Sequence, residues 1–229
     1  MKFEFLFLDL DDTIFDFAAT ERKAISRLLQ DVGVIPTEEI IHRYHVINLA
    51  HWKMLERGEL TRDELGTRRF DALFGELGVA VSTQECERSY RKYLSEGDDL
   101  LPGAAVALAQ LHKKYRLFAA TNSTAPVQMG RLTKTGLGQY FEKLFISEEI
   151  GASKPSLAFF QRAFDQIPDF DRERALMVGD SLTSDIQGGI NAGIATCWIN
   201  GKHRTIREDI RPDYEIASLA KLPQLLEQQ

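Results

Sequence analysis

Near the start of the chain, the run FLFLDLDDT sets Asp9, Asp11 and Asp12 directly after a short apolar segment. An apolar, aromatic-rich stretch of this kind predicts a buried strand. Carboxylates at the end of such a strand are costly unless a cation or hydrogen bonds satisfy them. In open parallel sheets, ligands bind just outside the carboxyl ends of the strands. The first strand is therefore expected to deliver a nucleophilic or metal-binding carboxylate into a cleft. Other polar elements follow apolar runs in the same way: Thr121-Asn122, Ser153-Lys154-Pro155, and Gly179-Asp180 with Ser184-Asp185. Each alone has a plain explanation as a solvated turn, a surface loop or a helix start. Their combination is more specific, because acids, a hydroxyl and a lysine would meet on one rim of one sheet.

The elements that must position these residues are legible as alternating patterns. Short apolar runs at Phe3 to Leu8, Arg116 to Thr121, Lys143 to Ser147, Ala175 to Gly179 and Ala195 to Ile199 predict strands. Helical periodicity fits Ala104 to Lys113, Val127 to Thr135, Leu157 to Gln166 and Ser184 to Ala192, and the tail Ser218 to Gln229 reads as a last helix despite Pro223. Strand–helix alternation implies an α/β fold, a doubly wound parallel sheet covered on both faces. Between the first and second runs there is no convincing strand, only amphipathic helical patterns at Ala18 to Asp31, Glu38 to Glu56, Arg62 to Leu77 and Gln84 to Ser95. A structureless loop of that length is improbable. The expected organisation is an α/β core domain of residues 1–15 and 100–229, with an inserted all-helical domain of residues 16–99 placed above the acidic loop.

At 229 residues, 44% hydrophobic and 27% charged, the composition is that of a soluble globular protein. The net charge of −6 argues against general nucleic-acid binding but leaves room for an anionic small molecule at a local cationic site. Cys86 and Cys197 lie far apart without metal-ligand spacing, as expected of buried free thiols in a reducing compartment. No signal peptide or membrane span is visible, so a cytoplasmic location is expected.

The elements DLDDT, TN, SKP and GDSLTSD resemble, in order and kind, the motifs of the haloacid dehalogenase-like (HAD) superfamily of phosphohydrolases. The resemblance covers nearly the whole chain and implies a Rossmann-like HAD core with a helical cap domain as the insert. It implies that Asp9 is the nucleophile, becoming an aspartyl-phosphate. Asp11 is then the general acid for the leaving oxygen and afterwards the base for water. Thr121, Asn122 and Lys154 bind the phosphoryl group. Mg²⁺ is implied as cofactor, on Asp9, Asp180 and the Asp11 main-chain carbonyl, with Asp185 supporting the site through water. Ser123 stands where many relatives carry glycine, which touches the loop shape but not the Thr121 assignment.

Charge reasoning points the same way. Asp9, Asp11, Asp180 and Asp185 together would push at least one pKa upward. Mg²⁺ and Lys154 leave this set with about one surplus negative charge, which protonation of Asp11 removes. A phosphate dianion could then approach. Phosphoryl transfer needs mainly positioning and neutralisation, and Mg²⁺ takes few protein ligands.

Other signals have plainer readings. Asp12 is expected to hold the loop and Thr13 to be structural. The run Gly188-Gly189-Ile190-Asn191-Ala192-Gly193 mimics a dinucleotide fingerprint but follows no strand directly, so close helix–sheet packing is the better account. His42, His45 and His51 lack the spacing of a metal site. Trp52 and Asn48 share a helix face, with core packing the default for the tryptophan and a substrate-facing role, shared with Asp16 and Phe17, the alternative.

The segments ISEEIGASKP and MVGDSLTSDIQGGINAGIATCWIN, with the DLDDTIFDF opening, are similar to bacterial noncanonical pyrimidine 5′-nucleotidases. This resemblance implies hydrolysis of UMP, dUMP or dTMP, with the cap closing over the nucleoside; a monomer and a homodimer are both open. Asp11 speaks against a dehalogenase, whose relatives lack that second aspartate. Another small phosphomonoester, such as phosphoglycolate or a sugar phosphate, stays open as the substrate. A phosphorylatable receiver-like signalling domain is the alternative from another class, though receivers carry no helical roof.

Overall fold

The computed structural model describes residues 2–205 and 209–228. The chain forms two compact units, Met1–Phe17 with Asp98–Gln229, and Ala18–Gly97. In chain order the elements are β1 (Phe5–Leu8), α1 (Phe17–Asp31), α2 (Glu38–Glu56), α3 (Arg62–Leu77), α4 (Thr83–Ser95), α5 (Ala104–Leu111), β2 (Arg116–Thr121), α6 (Ala125–Thr135), β3 (Lys143–Ile146), α7 (Ser147–Ile150), α8 (Leu157–Phe164), β4 (Ala175–Gly179), α9 (Gln187–Ala192), β5 (Ala195–Ile199), β6 (Tyr214–Ile216) and α10 (Leu222–Leu226).

The core unit is built on a six-stranded sheet of order β3-β2-β1-β4-β5-β6, parallel throughout. Strand β1 is apolar at every position because both of its faces are covered. Side chains alternate along a strand. Phe5 and Phe7 accordingly enter one core with Phe118, Phe145, Phe160 and Met177, while Leu6 and Leu8 enter the other with Leu108, Leu117, Leu176 and Val178. The order of strands reverses direction at β1 and β4, the topological switch point where such sheets bind ligands. Leu8 pairs with Ala119 and with Val178, so the residues after β1, β2 and β4 leave the sheet on one rim.

Departures from expectation have local causes. Phe3 is buried but joins no ladder. Strand β6 was not expected. It is a three-residue edge strand paired to β5 through Cys197 and Tyr214, too short to show a period. The predicted helix from Ser184 begins instead as a π-turn over Leu182–Ile186 and only then becomes α9. Pro223 sits in the first turn of α10, where a missing N–H costs little. The paired glycines of α9 do serve close packing: a Cβ on Gly188 would meet the Phe160 ring at 2.7 Å, and one on Gly189 would meet Thr196 Cγ2 at 2.6 Å.

Within the insert, Thr61 and Glu64 form a capping box at the start of α3, and Thr37 and Ser82 cap α2 and α4. The apolar stripes of these helices bring Tyr44, Phe70 and Tyr90 together, with ring centroids 5.4–5.6 Å apart. Asn48 is buried beside them, whereas Trp52, expected in the core, is half-buried with the Arg62 guanidinium 6.0 Å from its ring. His45 Nδ1 bonds Glu21 at 2.6 Å and His51 Nδ1 bonds the Ile47 carbonyl at 2.8 Å. Among the described residues, no helix is long and apolar enough to cross a membrane.

Candidate active site

Asp9 follows β1 directly, and its backbone N–H still donates to Val178 O at 2.9 Å, so the sheet sets its position. Its carboxylate is buried and accepts from Lys154 Nζ at 2.7 Å. The same ammonium donates to Asp185 Oδ1 at 2.6 Å and to Ala120 O at 2.5 Å, which uses all three of its protons. Asp185 Oδ2 accepts the Ser181 N–H at 3.0 Å. A Cβ on Gly179 would fall on the Asp185 carboxylate, so only glycine at the end of β4 allows that acid so close to the sheet.

One carboxylate oxygen from each of Asp9, Asp180 and Asp185 lies within 4.8 Å of the others. The buried Lys154 ammonium pairs with Asp9 and Asp185, while Asp180 pairs with the half-exposed Arg204. Burial raises the Asp9 pKa well above its ordinary value, and Asp185 and Asp11 add to this against the pull of Lys154. Asp180 is pushed up to about 7, first by burial and then by Asp185 and Asp12, with Arg204 opposing. Lys154 is disfavoured as a cation by burial, but Asp185 and Asp9 outweigh that and its pKa rises. A largely buried, oxygen-only donor set with surplus negative charge fits a hard divalent cation such as Mg²⁺.

Asp11 departs from the expected arrangement. Its carboxylate turns to helix α6, where Oδ1 accepts from Arg131 Nη1 and Oδ2 accepts from Gln128 Nε2 at 2.8 Å. Arg131 is a buried positive charge absent from the sequence tally, so overall neutrality of the set no longer requires a protonated Asp11. Thr121, the last residue of β2, presents a buried hydroxyl that accepts from Gln128 Nε2 and from the Ser123 N–H, each at 3.2 Å. Asn122, expected on the phosphoryl group, instead clasps the Lys154 backbone: Nδ2 donates to Lys154 O and Oδ1 accepts from Lys154 N, both at 2.9 Å. Its side chain thus aims the lysine. Asp12 has φ 55° and accepts the Phe17 N–H at 3.2 Å, a loop-holding role in a conformation aspartate tolerates. The Asp180 carbonyl accepts from Trp198 Nε1 at 2.8 Å and from Arg204 at 2.6 Å.

Gln128, Arg131, Trp198 and Arg204 were not foreseen. Gln128 and Arg131 are three apart on a helix that begins just after Thr121, and that spacing was the available signal.

The acidic cluster lies at the switch point of a parallel α/β sheet, where folds of this class place their ligands. The family model of haloacid dehalogenase-like hydrolases matches residues 4–193, and the chain belongs to that family. It is 40% identical over 223 residues to the pyrimidine 5′-nucleotidase PynA of Streptococcus pneumoniae, covering 97% of this chain and 94% of that protein. It is 37% identical over 226 residues to the pyrimidine 5′-nucleotidase YjjG of Escherichia coli, covering 99% of each. The crystal structure of the HAD-hydrolase YfnB of Bacillus subtilis bound to magnesium superposes with a TM-score of 0.95 at 38% identity, covering 99% of each chain.

Proposed function

We propose that this hydrolase is a Mg²⁺-dependent phosphomonoesterase acting on pyrimidine nucleoside 5′-monophosphates (UMP, dUMP and dTMP) through an aspartyl-phosphate. The observation that carries the chemistry is the buried Asp9 carboxylate at the end of β1, bound through Oδ1 to Lys154 and grouped with Asp180 and Asp185. The substrate class is supported by the two near-full-length relatives named as pyrimidine 5′-nucleotidases.

With Oδ1 held by Lys154, Asp9 Oδ2 is the oxygen that attacks phosphorus. The Oδ2–P bond forms as the P–O5′ bond breaks, and Asp11, which is the ion-paired carboxylate without substrate and takes up a proton before the ester reacts, gives that proton to the departing O5′. Water then attacks the phosphorus, gives a proton to Asp11, and releases inorganic phosphate as the Oδ2–P bond breaks. The Thr121 hydroxyl holds one phosphoryl oxygen throughout, and Lys154 holds another by exchanging one of its three present acceptors for it. Asp9, Asp180 and the Asp11 carbonyl would hold Mg²⁺, with Asp185 acting through water; when bound, the ion neutralises carboxylates and draws charge from the transferring group.

The test is phosphate release from nucleoside monophosphates, sugar phosphates and phosphoglycolate, with Mg²⁺, with EDTA, and with Asp9→Asn as blank. Mg²⁺-dependent turnover concentrated on UMP, dUMP and dTMP is expected. Turnover concentrated on phosphoglycolate or sugar phosphates would refute the substrate class, and undiminished turnover by Asp9→Asn would refute the covalent mechanism.

A further inference from the structure

Two buried side chains beside the site have no part in the reaction above. Gln128 and Arg131 lie on α6, and each is 0% exposed. A buried arginine is costly unless paired. Arg131 pairs with Asp11 through Nη1 and lies with its guanidinium 4.0 Å from the centre of the Phe15 ring. Its Nε and Nη2 nevertheless have no hydrogen-bond partner. A core position filled this expensively is explained by what the arginine holds rather than by packing.

What it holds is a short chain of donors. Arg131 Nη1 also reaches Gln128 Oε1 at 3.4 Å, and Gln128 Nε2 donates to both Asp11 Oδ2 and Thr121 Oγ1. A carboxylate only accepts, so Asp11 dictates that the Gln128 amide turn its NH₂ inward. A threonine hydroxyl has two acceptor lone pairs and one proton to give. Both lone pairs of Thr121 Oγ1 are taken, by Gln128 Nε2 and by the Ser123 N–H, and among the described residues no acceptor takes its proton.

We propose that Gln128, braced by Arg131, is a positioning residue that makes the Thr121 hydroxyl an obligate donor to a phosphoryl oxygen and ties that donor to the Asp11 carboxylate. The inference rests on the phosphomonoesterase reading, since it takes the anion at Thr121 to be a phosphoryl group. It assigns Gln128 a task no packing role requires: setting the direction of a hydrogen bond made by its neighbour.

Calorimetric titration of inorganic phosphate into the Mg²⁺-loaded protein tests this without needing turnover. Gln128→Leu is expected to weaken phosphate binding about tenfold in the wild-type background, but less than about twofold in a Thr121→Val background, because the two act as one unit. Gln128→Glu keeps the size of the side chain but offers Thr121 an acceptor, so it should weaken binding more than Gln128→Leu does. Thr121→Ser should preserve the coupling. Gln128→Glu in both backgrounds reads the same coupling should Gln128→Leu not fold. Equal losses from the Gln128 substitutions in both backgrounds, a Gln128→Glu effect no larger than that of Gln128→Leu, or no phosphate binding by the wild type would overturn the proposal. A protein that binds phosphate with this coupling but releases none from any ester would support the positioning role and refute the phosphomonoesterase reading. Brisk turnover with additive losses would refute the positioning role alone.

Discussion

Both units of the chain bury charged side chains, but they balance them differently. In the insert, Arg69 Nη1 donates to Asn48 Oδ1 at 2.8 Å, Asn48 Nδ2 donates to Glu21 Oε1 at 2.6 Å, and Glu87 takes both Arg69 and Arg91. Two carboxylates there are matched by two guanidiniums, both on Glu87, while Glu21 is held by Asn48 and His45. In the core unit, Asp9 and Asp185 share the single buried ammonium of Lys154, and Asp180, close to both, has among the described residues only the half-exposed Arg204 as its cation. The insert's network is self-compensated, as a network that only holds helices together must be. The core's is left with surplus negative charge, which adds to the effect of burial in raising the pKa values of Asp9 and Asp180 and creates a demand for a cation. Both networks are buried, so burial alone does not single out the site; unbalanced charge does.

The sharpest way to break this comparison is to remove the nucleophile. Asp9→Asn should cut phosphate release at least about a thousandfold, while leaving denaturant stability close to wild type, since it removes one of the surplus charges. A variant that loses stability and keeps activity would reverse the assignment. Lys154→Met strands Asp9 and Asp185 without their shared cation. Steady-state kinetics should show kcat/KM down about a hundredfold or more, with a lower denaturation midpoint in EDTA that Mg²⁺ partly restores.

In the insert the expected outcome is the reverse. Arg69→Met leaves Glu87 without its most buried partner, and urea denaturation should show a loss of about 3 kcal/mol. At a temperature where the variant is fully folded, kcat should stay within about twofold of wild type. A large fall in kcat without a change in stability would mean the balanced network is more than scaffolding.

The smallest effect is a pH slope. Asp180, pushed up to about 7 mainly by burial, holds its proton more tightly folded than unfolded. Its contribution to the stability of the metal-free protein is complete below the ordinary value of 3.8 and is lost as pH rises through about 7. Denaturation midpoints in EDTA should therefore fall between about pH 4 and about pH 7, and fall less steeply in Asp180→Asn. Adding Mg²⁺ should flatten or reverse the slope, because the metal binds the deprotonated ligands. Identical slopes for wild type and Asp180→Asn would show that Asp180 is not one of the acids under pressure.

Much of this organisation is readable along the chain because it rests on local rules. The FLFL run of β1 is apolar at every position because both faces are covered, and the amphipathic pattern of Arg62 to Leu77 matches α3. The glycines of α9 mark close packing rather than a nucleotide loop. Strand β6 escaped notice because three edge residues carry no period. The turn before α9 reads as helix because its residues suit a helix as well as they suit a π-turn.

The sequence by itself determined which chemical groups leave the strands at one end of a parallel sheet: the acids, the hydroxyl and the lysine are set there by strand-end positions. Only the tertiary structure decided which group meets which. Lys154 reaches Asp9 across 145 residues, and Arg131 reaches Asp11 across 120. Asn122 aims the backbone of Lys154 instead of standing beside it. Such pairings depend on how separate strands and helices dock, and electrostatic partners a few ångströms apart in space leave no periodic trace in a chain that separates them by a hundred residues or more.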